Sequence, residues 1–177
     1  MEYFKYSGKC ALGRLPDREL IMADLTDILL ALGISAGLHP YGHVQTGNDL
    51  NVPVSINWGK GMENWNTPDQ RKDAEIAGGG FAMQNKLAQG LQGNDLELPM
   101  RIANALYKAG YMAGIKPAGI EGDVNQMERD SGNKATKPLL GISTLFDLWK
   151  SQNPQSNFDL SFITPNGAPG LMGTWRW

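Results

Sequence analysis

The sequence predicts a mainly α-helical fold with long ordered loops and one or two short strands. It combines a small helical core with extended N- and C-terminal arms. The chain of 177 residues contains 22 glycines and 10 prolines, which interrupt regular structure often. Apolar residues nevertheless recur at helical spacing in several segments. We therefore expect an N-terminal arm over residues 1–16, a helical core domain over 17–150 and a C-terminal arm over 151–177.

Helical periodicity is clearest in two segments. Residues 17–32 carry a stripe of Ile and Leu, with Pro16 suited to the first turn and Gly33 to the C-terminal cap. Residues 99–113 form the second predicted helix, which is rich in Ala and Gly. Because small side chains let a neighbouring backbone approach closely, we expect this second helix to be central.

The other predicted elements are short. A helix capped by Thr67 should end at the three glycines 78–80, which we interpret as a flexible joint between helices. Further short helices are predicted over 81–89 and 143–150, brief strands at 52–56 and 158–163, and loops over the rest of 34–66 and over 115–138.

Composition excludes several classes of protein. The net charge of −2 and the scattered Lys and Arg argue against nucleic-acid binding as the main task. The single cysteine, Cys10, cannot form an internal disulfide, and residues 1–9 are not a signal peptide, so we expect a non-secreted protein of otherwise unknown location. The uncharged apolar run over 28–38 is too short for a membrane span, which needs about 20 residues.

A short phrase occurs twice, at residues 47–53 and 93–99, with a fainter echo at 132–138. It joins Gly-Asn-Asp, which favours turns, to alternating apolar residues and a proline. We interpret it as a reused connector that pins loops to the core, and not as a calcium repeat, because the copies are not in tandem. The residues expected to pin the loops are Asp49, Leu50, Val52, Asp95, Leu96 and Leu98.

Two histidines, His39 and His43, lie four positions apart. Pro40 and Gly42 disfavour the helix that would bring their side chains to one face. We therefore favour a structural loop over an acid–base or metal site, and we expect no metal and no cofactor.

Carboxylates between residues 63 and 75 support one enzymatic alternative. Glu63, Asp69 and Asp73 are its candidate catalytic residues, and Trp58 and Trp65 could stack on sugar rings. This alternative is a small glycan-acting hydrolase, which needs two carboxylates facing each other across a cleft at about 5–10 Å. Charged residues at helical spacing more often form a solvated face, so an enzyme is the less favoured interpretation.

The favoured interpretation is a structural or interaction protein within a larger assembly. The chain ends in an alternating apolar segment followed by two tryptophans, which would be costly to leave in water. Other protein subunits are the expected partners, in a homo- or hetero-oligomer, and the Gly/Asn/Gln-rich composition resembles that of phage virion components. The predicted interface residues are Phe158, Leu160, Phe162, Leu171, Trp175 and Trp177.

Overall fold

The computed structural model describes residues 25–57, 62–115 and 122–177, and these residues are mainly helical, as predicted. The helices are α1 (Leu25–Asp49), α2 (Gln70–Gly90), α3 (Glu97–Met112), α4 (Asp123–Ser131) and α5 (Thr136–Gln152). The strands are β1 (Val54–Asn57), β2 (Met62–Trp65), β3 (Phe158–Ile163) and β4 (Gly170–Trp175). The predicted N-terminal arm, 1–16, and Trp58 lie outside the described residues.

Helix α1 continues through a region that was predicted to be a loop. The prediction for residues 34–49 is wrong, because Pro40 lies inside the helix and does not end it. Proline removes one backbone hydrogen bond, but α1 is packed along α2. A Cβ added at Gly42 would lie 2.3 Å from the carbonyl oxygen of Gly79, so the two backbones are nearly in contact.

Helix α2 runs straight through the three glycines at 78–80, so the predicted break and flexible joint are wrong. All three glycines are buried, and each lets a different neighbour approach. A Cβ on the first would meet Thr164, one on the second would meet the backbone of Gly42, and one on the third would meet the ring of His39. Tertiary packing therefore outweighs the weak helix propensity of glycine.

Helix α3 matches its predicted range closely and packs against α1, α2, α4 and α5. The predicted loop over 115–138 is wrong in part, because α4 occupies Asp123–Ser131 and ends at Gly132 in the left-handed conformation. Helix α5 begins at Thr136, about two turns before the predicted cap at Ser143.

The last part of the chain forms an antiparallel hairpin that packs against the helices. The predicted strand at β3 is confirmed, but the segment expected to be coil forms β4, which pairs Phe158 with Trp175 and Ile163 with Gly170. Strand β3 packs against α2 and α5. The left-handed conformations of Asn166 and Gly167 turn the chain between the strands.

The apolar core is small, and polar side chains fill much of the remaining interior. Its main cluster consists of Ala77, Phe81, Val124, Met127, Leu140 and Phe162. A second cluster, of Ala31, Ala88, Met100 and Ala103, lies between α1, α2 and α3. Within the described residues, no helix is both long enough and apolar enough to cross a membrane.

The repeated phrase has different structures at its first two sites. The first copy begins in the last turn of α1, which ends at Asp49, whereas the second copy ends in the first turn of α3, which begins at Glu97. The second copy and the fainter echo do share one turn: the side chains of Asn94 and Asn133 accept hydrogen bonds from the N–H groups of Leu96 and Ala135. Each of these turns follows a glycine with positive φ and leads into a helix.

Candidate functional site

The two histidines of α1 lie on one face of the helix and point at the first residue of α4. His39 Nε2 is 2.7 Å from Asp123 Oδ2, and His43 Nε2 is 3.6 Å from the same oxygen. The sequence-based preference for a structural loop at these histidines is therefore wrong in its geometry. The helical spacing of four residues was visible in the sequence, but Asp123, which completes the group, is 84 positions from His39.

The Nδ1 atoms of the two histidine rings differ in their contacts. His43 Nδ1 lies 2.6 Å from the carbonyl oxygen of Ile76. Because a carbonyl only accepts, this nitrogen carries the proton and donates. His39 Nδ1 is buried and has no hydrogen-bond partner, and the same is true of His43 Nε2. The group therefore contains two buried nitrogens whose hydrogen-bonding capacity is unused.

Aromatic rings enclose the histidines. Trp65 stacks on His43 with ring centroids 5.4 Å apart. Phe81 contacts His39 edge-on at 5.0 Å, and the rings of Tyr107 and Tyr111 lie 5.0 and 5.4 Å from it. These rings come from β2, α2 and α3, so the fold brings three elements, together with Asp123 of α4, around the histidines of α1.

Burial and the carboxylate of Asp123 shift the pKa values of the two histidines in opposite directions. Burial lowers the pKa of His39, and its hydrogen bond to Asp123 offsets only part of this effect. Burial also disfavours protonation of His43, but the charge of Asp123 and the hydrogen bond to the Ile76 carbonyl raise its pKa above the ordinary value. The pKa of Asp123 lies well below its usual range because the effect of the histidines outweighs burial.

A second buried polar group joins α3, α5 and β3. The guanidinium of Arg101 contacts Asp147 at 3.2 Å and Asp159 at 2.5 Å. Lys108 Nζ donates to Asp147 at 2.6 Å, to Asn85 at 2.7 Å and to a serine hydroxyl. These two cations and two carboxylates have opposite charges that balance. We call Arg101, Lys108, Asp147 and Asp159 the buried ion network.

The carboxylates proposed for a hydrolase occupy different environments. Asp69 caps α2 by accepting hydrogen bonds from the N–H groups of Arg71 and Lys72, and it is exposed. Asp73 accepts hydrogen bonds from Trp65 and Gln126. Burial raises the pKa of Asp73, and a hydrogen bond with Asp130 adds to this rise. Two of the three candidates therefore have structural partners.

Glu63, the third candidate carboxylate, affects the two histidines through its charge. It is half-buried in β2, and its charge acts on His39, His43 and the tyrosines of α3. Burial, with a smaller contribution from the charges of Asp123 and Glu63, raises the pKa of Tyr107 to about 12, so this phenol stays protonated at neutral pH.

The predicted interface residues divide into inward and outward positions. Phe162 is fully buried in the chain's own core, and Phe158, Leu160 and Leu171 are half-buried in the hairpin. Trp175 and Trp177 are exposed, Trp177 completely. The outward positions are therefore the two tryptophans at the end of the chain.

The residues predicted to pin the loops also differ in position. Val52 is buried, its N–H bonds back to the carbonyl of Gly47, and the carbonyl of Leu50 accepts a hydrogen bond from Lys72. Leu98 is half-buried in α3, whereas Leu96 is exposed. Asp49 and Asp95 are exposed, and Asp49 accepts a hydrogen bond from the side chain of Gln45.

Comparison with protein-family models, curated proteins and solved structures finds no match to this chain. The class of this protein is therefore given by its fold and its two buried polar groups alone. The chain is a mainly helical protein with a buried histidine–aspartate group and a buried ion network.

Proposed function

We propose that the chain is a structural subunit that contacts other protein subunits through an apolar surface on α5 and the C-terminal hairpin. The observation that carries this proposal is the reversed polarity of α5. Its buried residues include Ser143, Asp147 and Lys150, whereas Leu145 is 68% exposed and Trp149 is 45% exposed. A helix on the surface of a lone soluble domain normally has the opposite arrangement.

A row of aromatic rings extends this surface from α5 to the end of the chain. The row consists of Trp149, Phe146, Phe158, Trp175 and Trp177, and we call it the aromatic ladder. Successive ring centroids along it are 5.2, 5.6, 6.3 and 6.4 Å apart. Tryptophan is enriched among the residues that contribute most to protein–protein binding, so the exposed end of the ladder suits a protein partner.

Charge favours a protein partner over a lipid surface. Peripheral binding to anionic lipids draws on a Lys- and Arg-rich face beside the apolar one. The chain has a net charge of −2, and three of its cations, Arg101, Lys108 and Lys150, are buried inside the protein. The phage virion setting rests on composition alone and stays a prediction.

Self-association of the purified full chain tests the proposal directly. We expect sedimentation velocity to detect a species larger than the 19.3 kDa monomer, and Leu145→Glu to shift the population to monomer. The matched control is Asn125→Glu, which adds the same charge at an exposed position of α4. Both substitutions should preserve the circular dichroism spectrum. A chain that is monomeric at all concentrations would contradict self-assembly through this surface.

The glycan-hydrolase alternative has weaker support. Asp69 caps a helix and Asp73 is held by Trp65 and Gln126, so both carboxylates have roles in stabilising the fold. The charge of Glu63, the third candidate, acts on the two histidines.

A further inference from the structure

The group formed by His39, His43 and Asp123 has the donor set of a metal site. Each residue offers one ligand atom, and the three atoms lie within 4.8 Å of one another. Helix α1 supplies two imidazoles one turn apart, and the first residue of α4 supplies a carboxylate. Two histidines and one carboxylate form the protein ligand set of several zinc enzymes and of non-haem iron sites.

The contact with Ile76 prepares His43 to be a ligand. With the proton on Nδ1 donated to this carbonyl, a neutral His43 has its lone pair on Nε2, the nitrogen nearer to Asp123. Metal-bound histidines commonly donate their second N–H to a carbonyl or carboxylate in this way. A metal ion bound between Nε2 of neutral His43 and the carboxylate oxygen, which lie 3.6 Å apart, would contact both acceptors.

The distances require only a small adjustment for a metal ion. Two ligands of one tetrahedral ion with bonds of ~2.1 Å lie about 3.4 Å apart. The separation of 3.6 Å between His43 Nε2 and Asp123 Oδ2 already matches this value. The separation of 2.7 Å between His39 and Asp123 is a hydrogen bond, and it would open by a rotation of the carboxylate.

Burial and shape favour a single, well-defined ion. Both imidazoles are fully buried, and the aspartate side chain keeps a tenth of its exposure, which places the solvent side of the site at Asp123. The ring of His39 lies against the backbone of Gly80, where a side chain would displace it. Among the described residues, the ion pairs of Asp123 are with these two histidines, so no lysine or arginine occupies the place of a cation.

We propose that His39, His43 and Asp123 bind one divalent transition-metal ion, with Zn²⁺ as the best fit. Three protein ligands leave at least one coordination position for an exogenous ligand, which is the arrangement of catalytic and not of structural zinc sites. The negative charge of Glu63 also acts on both histidines and adds to the preference for a cation there. This site is independent of the proposed subunit contact.

Metal titration of the purified, chelator-treated full chain tests the site. We expect one equivalent of Zn²⁺ to bind and to raise the melting temperature. We also expect one equivalent of Co²⁺ to give the visible absorption of a tetrahedral nitrogen–oxygen site. His43→Gln and Asp123→Asn should each weaken binding by at least about 100-fold, because each removes a direct ligand.

Asp95→Asn is the control, because it removes an exposed carboxylate away from the site and should leave metal binding unchanged. Circular dichroism establishes that each variant is folded. If the wild-type chain binds neither ion with a Kd below about 1 mM, the proposal is overturned whatever the variants do. It is also overturned if folded His43→Gln and Asp123→Asn bind Co²⁺ with the wild-type affinity and spectrum.

Discussion

Several buried positions of this protein hold charged residues, although the helical sequence pattern predicts apolar residues there. Arg101 and Lys108 lie on the buried side of α3, and their carboxylate partners come from α5 and β3. Charged residues on a helix usually mark its solvated face, so this network could not be predicted from helical spacing. The apolar residue Leu106 lies between them in sequence and is 52% exposed.

Asp147 is the residue that links the two buried cations, and its loss should be severe. Asp147→Asn keeps the side-chain shape but leaves Lys108 without a carboxylate partner in the network. We expect the free energy of unfolding to fall by about 3–5 kcal/mol, the usual cost of breaking a buried ion pair by removing one partner. Urea denaturation followed by circular dichroism measures this loss.

The matched variant combines Asp147→Asn with Lys108→Met. It removes one charge of each sign and leaves Arg101 paired with Asp159. If charge balance governs the network, the double variant should be more stable than the single Asp147→Asn variant. If the double variant instead loses as much stability as the single variants Asp147→Asn and Lys108→Met lose together, charge balance does not govern the network.

The histidine group illustrates the limit of prediction at the residue scale. Its spacing of four residues was recognised in the sequence, but Pro40 and Gly42 were taken as evidence against a helix. Both residues are accommodated because α2 packs directly on α1 at this point. A long-range contact therefore decides the local conformation, and a single sequence does not contain that contact in a form that periodicity detects.

At the scale of elements, glycine acts here as a packing residue. Strand β3 and helix α3 were predicted correctly, because each has strong periodicity. A helix was also predicted to follow Thr67, but its N-cap is Asp69, two residues later than predicted. Helix α2 was predicted to break at its glycines, because intrinsic propensity was the only information available. The crossing of α1 and α2 is what stabilises a helix with three consecutive glycines.

Gly79→Ala tests this crossing. The added Cβ would lie 2.3 Å from the Thr46 hydroxyl and 2.6 Å from the carbonyl oxygen of Gly42, so the helices must separate. We expect a loss of about 1–3 kcal/mol in the free energy of unfolding, which is typical of overpacked interiors. Thermal and urea denaturation of the purified variant measure the effect.

Gly37→Ala in α1 is the control for this substitution. Nothing lies within 4 Å of a Cβ at Gly37, and the residue is inside a helix. Alanine should therefore increase stability by about 0.5–1 kcal/mol through its better helix propensity. Equal effects at the two positions would show that propensity, and not the close approach of α1 and α2, governs both sites.

At the scale of the whole molecule, the C-terminal hairpin is joined to the helical body by buried contacts. Phe162 belongs to the main apolar cluster, and Asp159 belongs to the buried ion network. Asn85 of α2 also donates a hydrogen bond to the carbonyl of Phe162. The sequence predicted a strand and a docked tail, but not that the tail returns as a second strand on the chain's own body.

Removing residues 158–177 should therefore prevent folding of the rest of the chain. The truncation leaves Arg101 without Asp159 and opens a cavity where Phe162 packs, and each loss costs about 3–5 kcal/mol. Their sum is comparable to the whole stability of an ordinary domain. Trp177→Ser, by contrast, changes a fully exposed side chain and should leave stability within about 0.5 kcal/mol of wild type. Circular dichroism melts distinguish the two outcomes, and a cooperative native-like melt of the fragment 1–157 would establish that the hairpin is a separable arm.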